Sequence, residues 1–265
     1  MENCGFPLIP KYLAYETFPE AAIHSASVTH VWSQSLLISK QIADASLIPN
    51  IVENLSELIG QVDAVLLARD DAETHYSLAE PFLKAGIPIY IDKPLAYTVS
   101  EAQRILDAQQ FDGQIFSCSA LRYSQTLALS QEDQSVVGDL KYIVGTVPKG
   151  WNKYAIHAIE PLRQIIPPDT YILESKTLSS GDVRIVFCTL SNGLEIELRS
   201  MGSSPCPISL EIFGSTGYKR LEFTDTFASF KTSLDRFVKS VLMKEPAILI
   251  SDMLESVRYL ELGAL

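Results

Sequence analysis

This chain has no surplus of basic residues: its 265 residues carry a net charge of −11. Phosphate backbones are met by a basic footprint, so polynucleotide binding is excluded as a leading class. No apolar run approaches the roughly 20 residues that cross a bilayer. The opening MENCGFPLIPKYL has neither a basic leader nor a long apolar core, which predicts a cytoplasmic protein without a signal peptide. Cysteine is scarce and scattered. Cys4, Cys118, Cys188 and Cys206 form no CxxC pair and read as reduced structural thiols. No His, Cys and acidic cluster has ligand spacing, so no metal is expected. Internal repeats and low-complexity segments are lacking as well.

What is present is ordinary globular material, 47% apolar and 20% charged, long enough for two domains. Ala26–Trp32 reads as a short strand, followed by a helix that Ser35 can cap and that runs through Ala45. Residues 51–60 suggest a short helix stopped by Gly60. Ala64–Ala68 is apolar throughout, as a strand covered on both faces requires. The next helix contains Pro81, which predicts a kink or a restart, and Gly86 ends it. Ile87–Ile91 is the following strand. Thr98 and Glu101 have capping-box spacing for a helix to about Ala108, and Gln114–Ser119 supplies another strand. This alternation predicts a doubly wound parallel sheet over residues 1–119.

Beyond it the pattern changes. A polar stretch, Ser130–Ser135, precedes strand-like runs at 140–147, 183–190, 194–199, 208–213 and 218–223. Residues 151–166 contain a helix ended by Pro167-Pro168, and two terminal helices cover about 226–243 and 251–262. Residues 120–265 are therefore expected to form a second, α+β domain on a mostly antiparallel open sheet.

The stretch VDAVLLA, His75 at a helix start, AGIPIYIDKPLA, the Gly138-Asp139-Leu140 turn and WNKYAIHAIEPL together resemble the Gfo/Idh/MocA (glucose–fructose oxidoreductase / inositol dehydrogenase) family. The resemblance implies an N-terminal nicotinamide-binding Rossmann domain and a C-terminal substrate domain that dimerises through its sheet. It further implies NAD or NADP as cofactor and an NAD(P)-dependent oxidoreductase acting on a sugar- or cyclitol-like small molecule. Lys93 matches the lysine of the family's Glu-Lys-Pro motif, with Asp92 in place of the glutamate, and His157 matches its acid/base histidine. Both are the implied catalytic residues. The strand end Ala68-Arg69-Asp70 falls where relatives lay the cofactor, near Asp92 and Lys93, with His75 on the following helix. Arg122, Lys153 and Tyr154 join Lys93 and His157 on the substrate side.

Three departures stand against this. No GxGxxG spacing precedes Ala26, and that loop ordinarily rests pyrophosphate on a helix N-terminus. Lys153 replaces the family's aspartate four residues before the histidine, and Ala155 its glycine. Ser33 and Gln34 stand where an acidic residue would hold the adenosine ribose. The first departure also removes the central strand of the 3-2-1-4-5-6 order. Either its two neighbours pair directly, another chain fills the place, or the N-terminus is shortened; the last is the expectation here.

Several residues carry two readings. His157 is an acid/base group or a histidine buried on a helical face. Lys153 binds a substrate carboxylate or phosphate, or is a solvated lysine. Arg122 faces the cleft or makes a structural salt bridge. Trp151 and Tyr154 line a sugar pocket or pack. His75 meets the cofactor or steadies its helix, and Asp70 or Asp71 caps it. The competing function is a redox-silent relative that keeps the cleft as a ligand-binding or regulatory module.

Overall fold

The computed structural model describes residues 6–264, so Cys4 lies outside the described residues. A short helix α1 (Leu8–Leu13) comes first. The next elements are β1 (His30–Val31), α2 (Leu36–Ser46) and β2 (Asn50–Ile51). A 3-10 turn at Leu55–Leu58 crosses to β3 (Val65–Leu67). Then follow α3 (His75–Lys84), β4 (Ile89–Ile91), α4 (Val99–Asp107) and β5 (Ile115–Phe116). Every strand pair in this half is parallel. Residues 51–60, expected as a helix, thus hold a strand end and a single 3-10 turn.

The expected gap at the centre is visible. β1 pairs only with β2, and β3, β4 and β5 form a separate sheet. Among the described residues no strand lies between β1 and β3, and the two are not bonded to each other. Direct pairing, one of the three outcomes considered above, is therefore corrected. Val65 and Leu67 are buried, whereas Leu66 between them is 45% exposed. Leu66 shares its face with Tyr90 and Phe116, its neighbours in register. Phe237 covers those two, and the cover ends before it reaches Leu66. The expected strand Ala26–Trp32 shrinks to two residues, paired with β2 alone.

Pro81 does not restart α3, which continues through it. It sits in the helix's second half, where the neighbouring Phe82 and Leu83 are fully buried and fix the turn by packing. α4 begins as expected, with Thr98 Oγ1 accepting the Glu101 N–H at 3.2 Å.

The second half contains a 3-10 turn at Ala120–Tyr123, then α5 (Gln131–Val137), β6 (Leu140–Val147), α6 (Trp151–Tyr154) and α7 (Ile156–Arg163). β7 (Ile172–Ser180), β8 (Val183–Leu190), β9 (Glu195–Ser200), β10 (Ser209–Gly214) and β11 (Tyr218–Glu222) complete the sheet. Its six strands run in the order β11-β10-β6-β9-β8-β7, antiparallel except where β6 meets β9. α7 packs on one face, and Gly145 of β6 lets it approach: a Cβ there would lie 2.7 Å from Leu198 and 3.2 Å from Ala158.

Two elements differ from expectation. The polar stretch at 130–135 opens α5, because Ser130 and Asp133 form a reciprocal capping box. β7 was not foreseen; it is a polar edge strand, exposed along nearly its whole length. The closing helices α8 (Thr226–Met243) and α9 (Ile250–Leu262) return to the first half. Their Phe237, Met253 and Val257 share a core with Ile89, Ile91, Phe116 and Cys118. The described cysteines, Cys118, Cys188 and Cys206, are free. No helix among the described residues is long and apolar enough to cross a membrane.

Candidate functional site

The carboxyl ends of β3, β4 and β5 meet α7 across a cleft, and the chemistry-bearing side chains gather there. β4 is held to β3 through its last residue, with the Asp92 N–H donating to the Leu67 carbonyl at 3.0 Å. Lys93 follows, its peptide bond to Pro94 cis. Its side chain is only 19% exposed, and Nζ lies 3.5 Å from both Asp70 Oδ1 and Asp92 Oδ2. The loop after β3 thus supplies Asp70 as a counter-charge. His75 braces that loop from beneath. The ring is fully buried and bridges the carbonyls of Leu95 and Arg69 at 3.0 Å each. It is an interior clamp that ties the β3 loop to the segment after Lys93, so the steadying reading describes it and the cofactor expectation is corrected.

From the other side α7 presents His157. Its Nδ1 is 2.8 Å from Ser119 Oγ, and the Tyr154 ring meets it edge-on at 5.4 Å. Burial, helped by the positive charges of Lys93 and Lys149, pushes the imidazole down to about 4. It is therefore neutral at pH 7. Lys93 and Ile156, the residue before His157, line one small cavity, and the Lys93 charge is among those that lower the imidazole. Lys149 Nζ sits 4.4 Å above the Tyr154 ring and donates to its hydroxyl.

Lys153 Nζ is 2.5 Å from Asp70 Oδ2. The lysine that departs from the family pattern is thus answered by a carboxylate from the opposite domain. Its hydrogen bond, with a further contribution from Lys93, holds Asp70 below the usual carboxylate range, and Asp70 in turn raises Lys153. Lys93 and Lys153 therefore grip the two oxygens of one carboxylate.

Other expected residues lie elsewhere. Arg122 contacts Glu160 at 2.9 Å and also Asp252, while Arg163 reaches Asp252 at 3.3 Å. Burial opposes the charge on Arg122, but Glu160 and Asp252 outweigh it and keep the guanidinium protonated. Arg122 thus makes the salt bridges that its structural reading expects, and its guanidinium is engaged in this network. Trp151 is buried and donates Nε1–H to the Leu260 carbonyl at 2.7 Å, an anchor for α6. Arg69 makes a two-pronged pair with Asp71 at 2.7 and 2.6 Å and reaches Gln34 Oε1 at 2.9 Å. It links the end of β3 with the segment after β1. Ser33 bonds to the Ser35 carbonyl and to Ser39 Oγ, each at 2.8 Å, at the start of α2. Ala68 is exposed at the end of β3. Ser119 was not singled out in the sequence; a serine at a strand end has no signal without the fold.

The arrangement offers two kinds of donor to a substrate oxygen, an ammonium and an imidazole, beside an aromatic wall. A Rossmann-like parallel sheet joined to a mostly antiparallel sheet domain, with an ammonium and an imidazole near the parallel strands' carboxyl ends, is the class defined so far. The sequence matches the family described as oxidoreductase family, NAD-binding Rossmann fold, over residues 12–119. Solved structures agree in fold. Myo-inositol 2-dehydrogenase from Lactobacillus plantarum is similar at 14% identity and TM-score 0.78, over 97% of this chain and 93% of that one. An apo scyllo-inositol dehydrogenase from Lactobacillus casei follows at 14% and 0.75, over 91% and 88%. Myo-inositol dehydrogenase from the same organism, in complex with NAD(H) and myo-inositol, gives 17% and 0.73, over 88% and 84%. No curated protein matches the sequence.

A dinucleotide fits this chain unevenly. Lys93, Asp92, Asp70 and His157 suit its nicotinamide end. For the pyrophosphate, the described residues provide no glycine turn feeding a helix beside β3.

Proposed function

We propose that this chain is an NAD(P)-dependent oxidoreductase that interconverts a secondary hydroxyl and a carbonyl on a sugar- or cyclitol-like ring. The reading is supported by a small cavity lined from both halves by Lys93 and by Ile156, the residue before His157, with the Lys93 charge felt at the imidazole. Lys93 is the group that orients and polarises the reacting oxygen, with its ammonium placed by Asp70 and Asp92. His157 exchanges the proton at its Nε2, the nitrogen not engaged by Ser119. When bound, nicotinamide supplies the acceptance or release of a hydride. Ala68, Arg69 and Asp70 border its place at the end of β3, and Ser33 the outer end of the same edge. Tyr154 forms the wall beside His157, and Lys153, shared with Asp70, favours a substrate carrying a carboxylate or phosphate.

In this reading residues 1–119 face the cofactor and residues 120–265 the substrate, with α8 and α9 joining the two. Self-association belongs to the uncovered face of the six-stranded sheet, where Phe213 stacks on Tyr218 at 5.7 Å. The protein works as a small-molecule enzyme of the cytoplasm.

One observation favours a second reading, a redox-silent ligand-binding module: among the described residues no glycine turn feeds a helix at the pyrophosphate end of the cleft. Isothermal titration with NAD+ and NADP+, followed by a dehydrogenase assay across inositols and aldonic or uronic acids, separates the two. Turnover of any of these with a nicotinamide supports the enzyme. Binding of a polyol with no nicotinamide affinity supports the module.

A further inference from the structure

Ser119 stands where β5 leaves the first sheet, and its side chain is fully buried. Its Oγ accepts the Leu121 N–H at 3.2 Å, capping the 3-10 turn at Ala120–Tyr123. A serine hydroxyl has two lone pairs and one proton. With one lone pair committed to Leu121, the proton still needs an acceptor. The remaining polar atom in hydrogen-bond reach, among the described residues, is His157 Nδ1 at 2.8 Å. If Nδ1 carried the ring proton it would donate to Oγ, leaving the serine hydrogen buried without an acceptor, which is costly. The charged groups acting on the ring, Lys93 and Lys149, are both cationic and oppose an imidazolium, and its aromatic neighbour Tyr154 is directed at Lys149. Nε2 has no hydrogen-bond partner among the described residues, yet it is not among the buried unpartnered atoms, so it stays open to a ligand.

We infer that Ser119 is a positioning residue that fixes His157 as its Nε2–H tautomer, so that the site is preset for the carbonyl form of the substrate. This rests on the proposed reading of His157 as the substrate-facing acid/base group. A carbonyl oxygen has lone pairs only, and Nε2–H and the Lys93 ammonium are both donors to it. An alcohol reaches a proton-accepting ring only after the Ser119 hydroxyl turns to accept from Nδ1–H. The carbonyl form binds without that rearrangement. Ser119 thereby takes over orientation of the ring from the carboxylate that position 153 does not supply.

The test reads the tautomer directly. In uniformly 15N-labelled protein at pH 7, long-range 1H–15N correlations distinguish Nε2–H, Nδ1–H and imidazolium rings, and His157→Asn identifies the signals of residue 157. The expected wild-type pattern is a single Nε2–H ring. Ser119→Ala should shift the tautomer ratio by about ten-fold or more toward Nδ1–H, and Ser119→Thr should restore it. A wild-type Nδ1–H or imidazolium pattern overturns the inference, as does an unchanged pattern in Ser119→Ala. If Ser119→Ala does not fold, the wild-type spectrum decides alone. Failure of nicotinamide binding would strike the enzyme reading and leave this spectrum unchanged, so the two failures are distinguishable.

Discussion

At β4 the carboxyl edge of the first sheet is flanked by a strand on each side, packed under α8 and α9, and loaded with Lys93 facing His157. β1, in the separate two-stranded sheet, is a two-residue strand with one partner, followed by serines bonded among themselves. Both regions come from one run of alternating strands and helices, yet β4 is paired on both edges and β1 on one. The difference is what a parallel sheet requires. Strands in it are stabilised by neighbours on both edges and helices on both faces, and β1 and β3 each lack one neighbour. Arg69 to Gln34 is a side-chain bond between the segments after these strands. Chemistry is therefore concentrated where the sheet is complete.

The largest expected effect lies on the complete side. Lys93→Ala should lower turnover by about 10²- to 10⁴-fold while leaving dinucleotide affinity near the wild-type value. Steady-state kinetics beside a binding titration checks this, and undiminished turnover removes Lys93 from the mechanism.

Next comes the ion network under the site. Arg122→Met strands Glu160 and Asp252 without their main partner, and urea unfolding should show a loss of ~3–5 kcal/mol. Burial already pushes the Glu160 carboxyl above its usual range, against the pull of Arg122. A loss near zero would mean that the network is solvated and does not support α7.

The third effect is pH dependence. His157 is depressed from 6.5 to about 4 in the folded protein. The unfolded chain then binds the proton first, so this contribution to stability is complete above pH 6.5 and fades as pH falls toward 4. About 3 kcal/mol is at stake. Denaturation midpoints between pH 7 and 4 should fall more steeply for wild type than for His157→Asn.

The smallest effect sharpens the comparison itself. Ile91→Ala, at a fully buried position in β4, should cost ~2–5 kcal/mol. Leu66→Ala, on the uncovered face of β3, should stay within about 0.5 kcal/mol. Similar costs at both positions would show that something covers Leu66 in solution.

Much of this was legible in the residues, for physical reasons that differ by region. β4 and the cap at Thr98 could be read because a parallel strand covered on both faces is apolar throughout and a cap is local; β3 has the same pattern although Leu66 lies on an uncovered face. Lys93 and His157 were legible as candidates through the resemblance, and the fold brought them to one cleft. β7 was illegible because an exposed edge strand has no apolar alternation to betray it. The partners of Arg122, Lys153 and His157 come from segments remote in the chain: Asp252, Asp70 and Ser119. Such pairings depend on tertiary approach, so periodicity and spacing do not reveal them. Pro81 teaches the same lesson in reverse, since buried neighbours carry a helix past a residue that local rules would break.

The central claim is that a cleft with an intact floor and an incomplete phosphate end still accepts a dinucleotide. Fluorescence titration of the full chain with NADH and NADPH tests it most directly. The account predicts saturable binding of at least one of them below millimolar concentration. No binding of either up to several millimolar would contradict it.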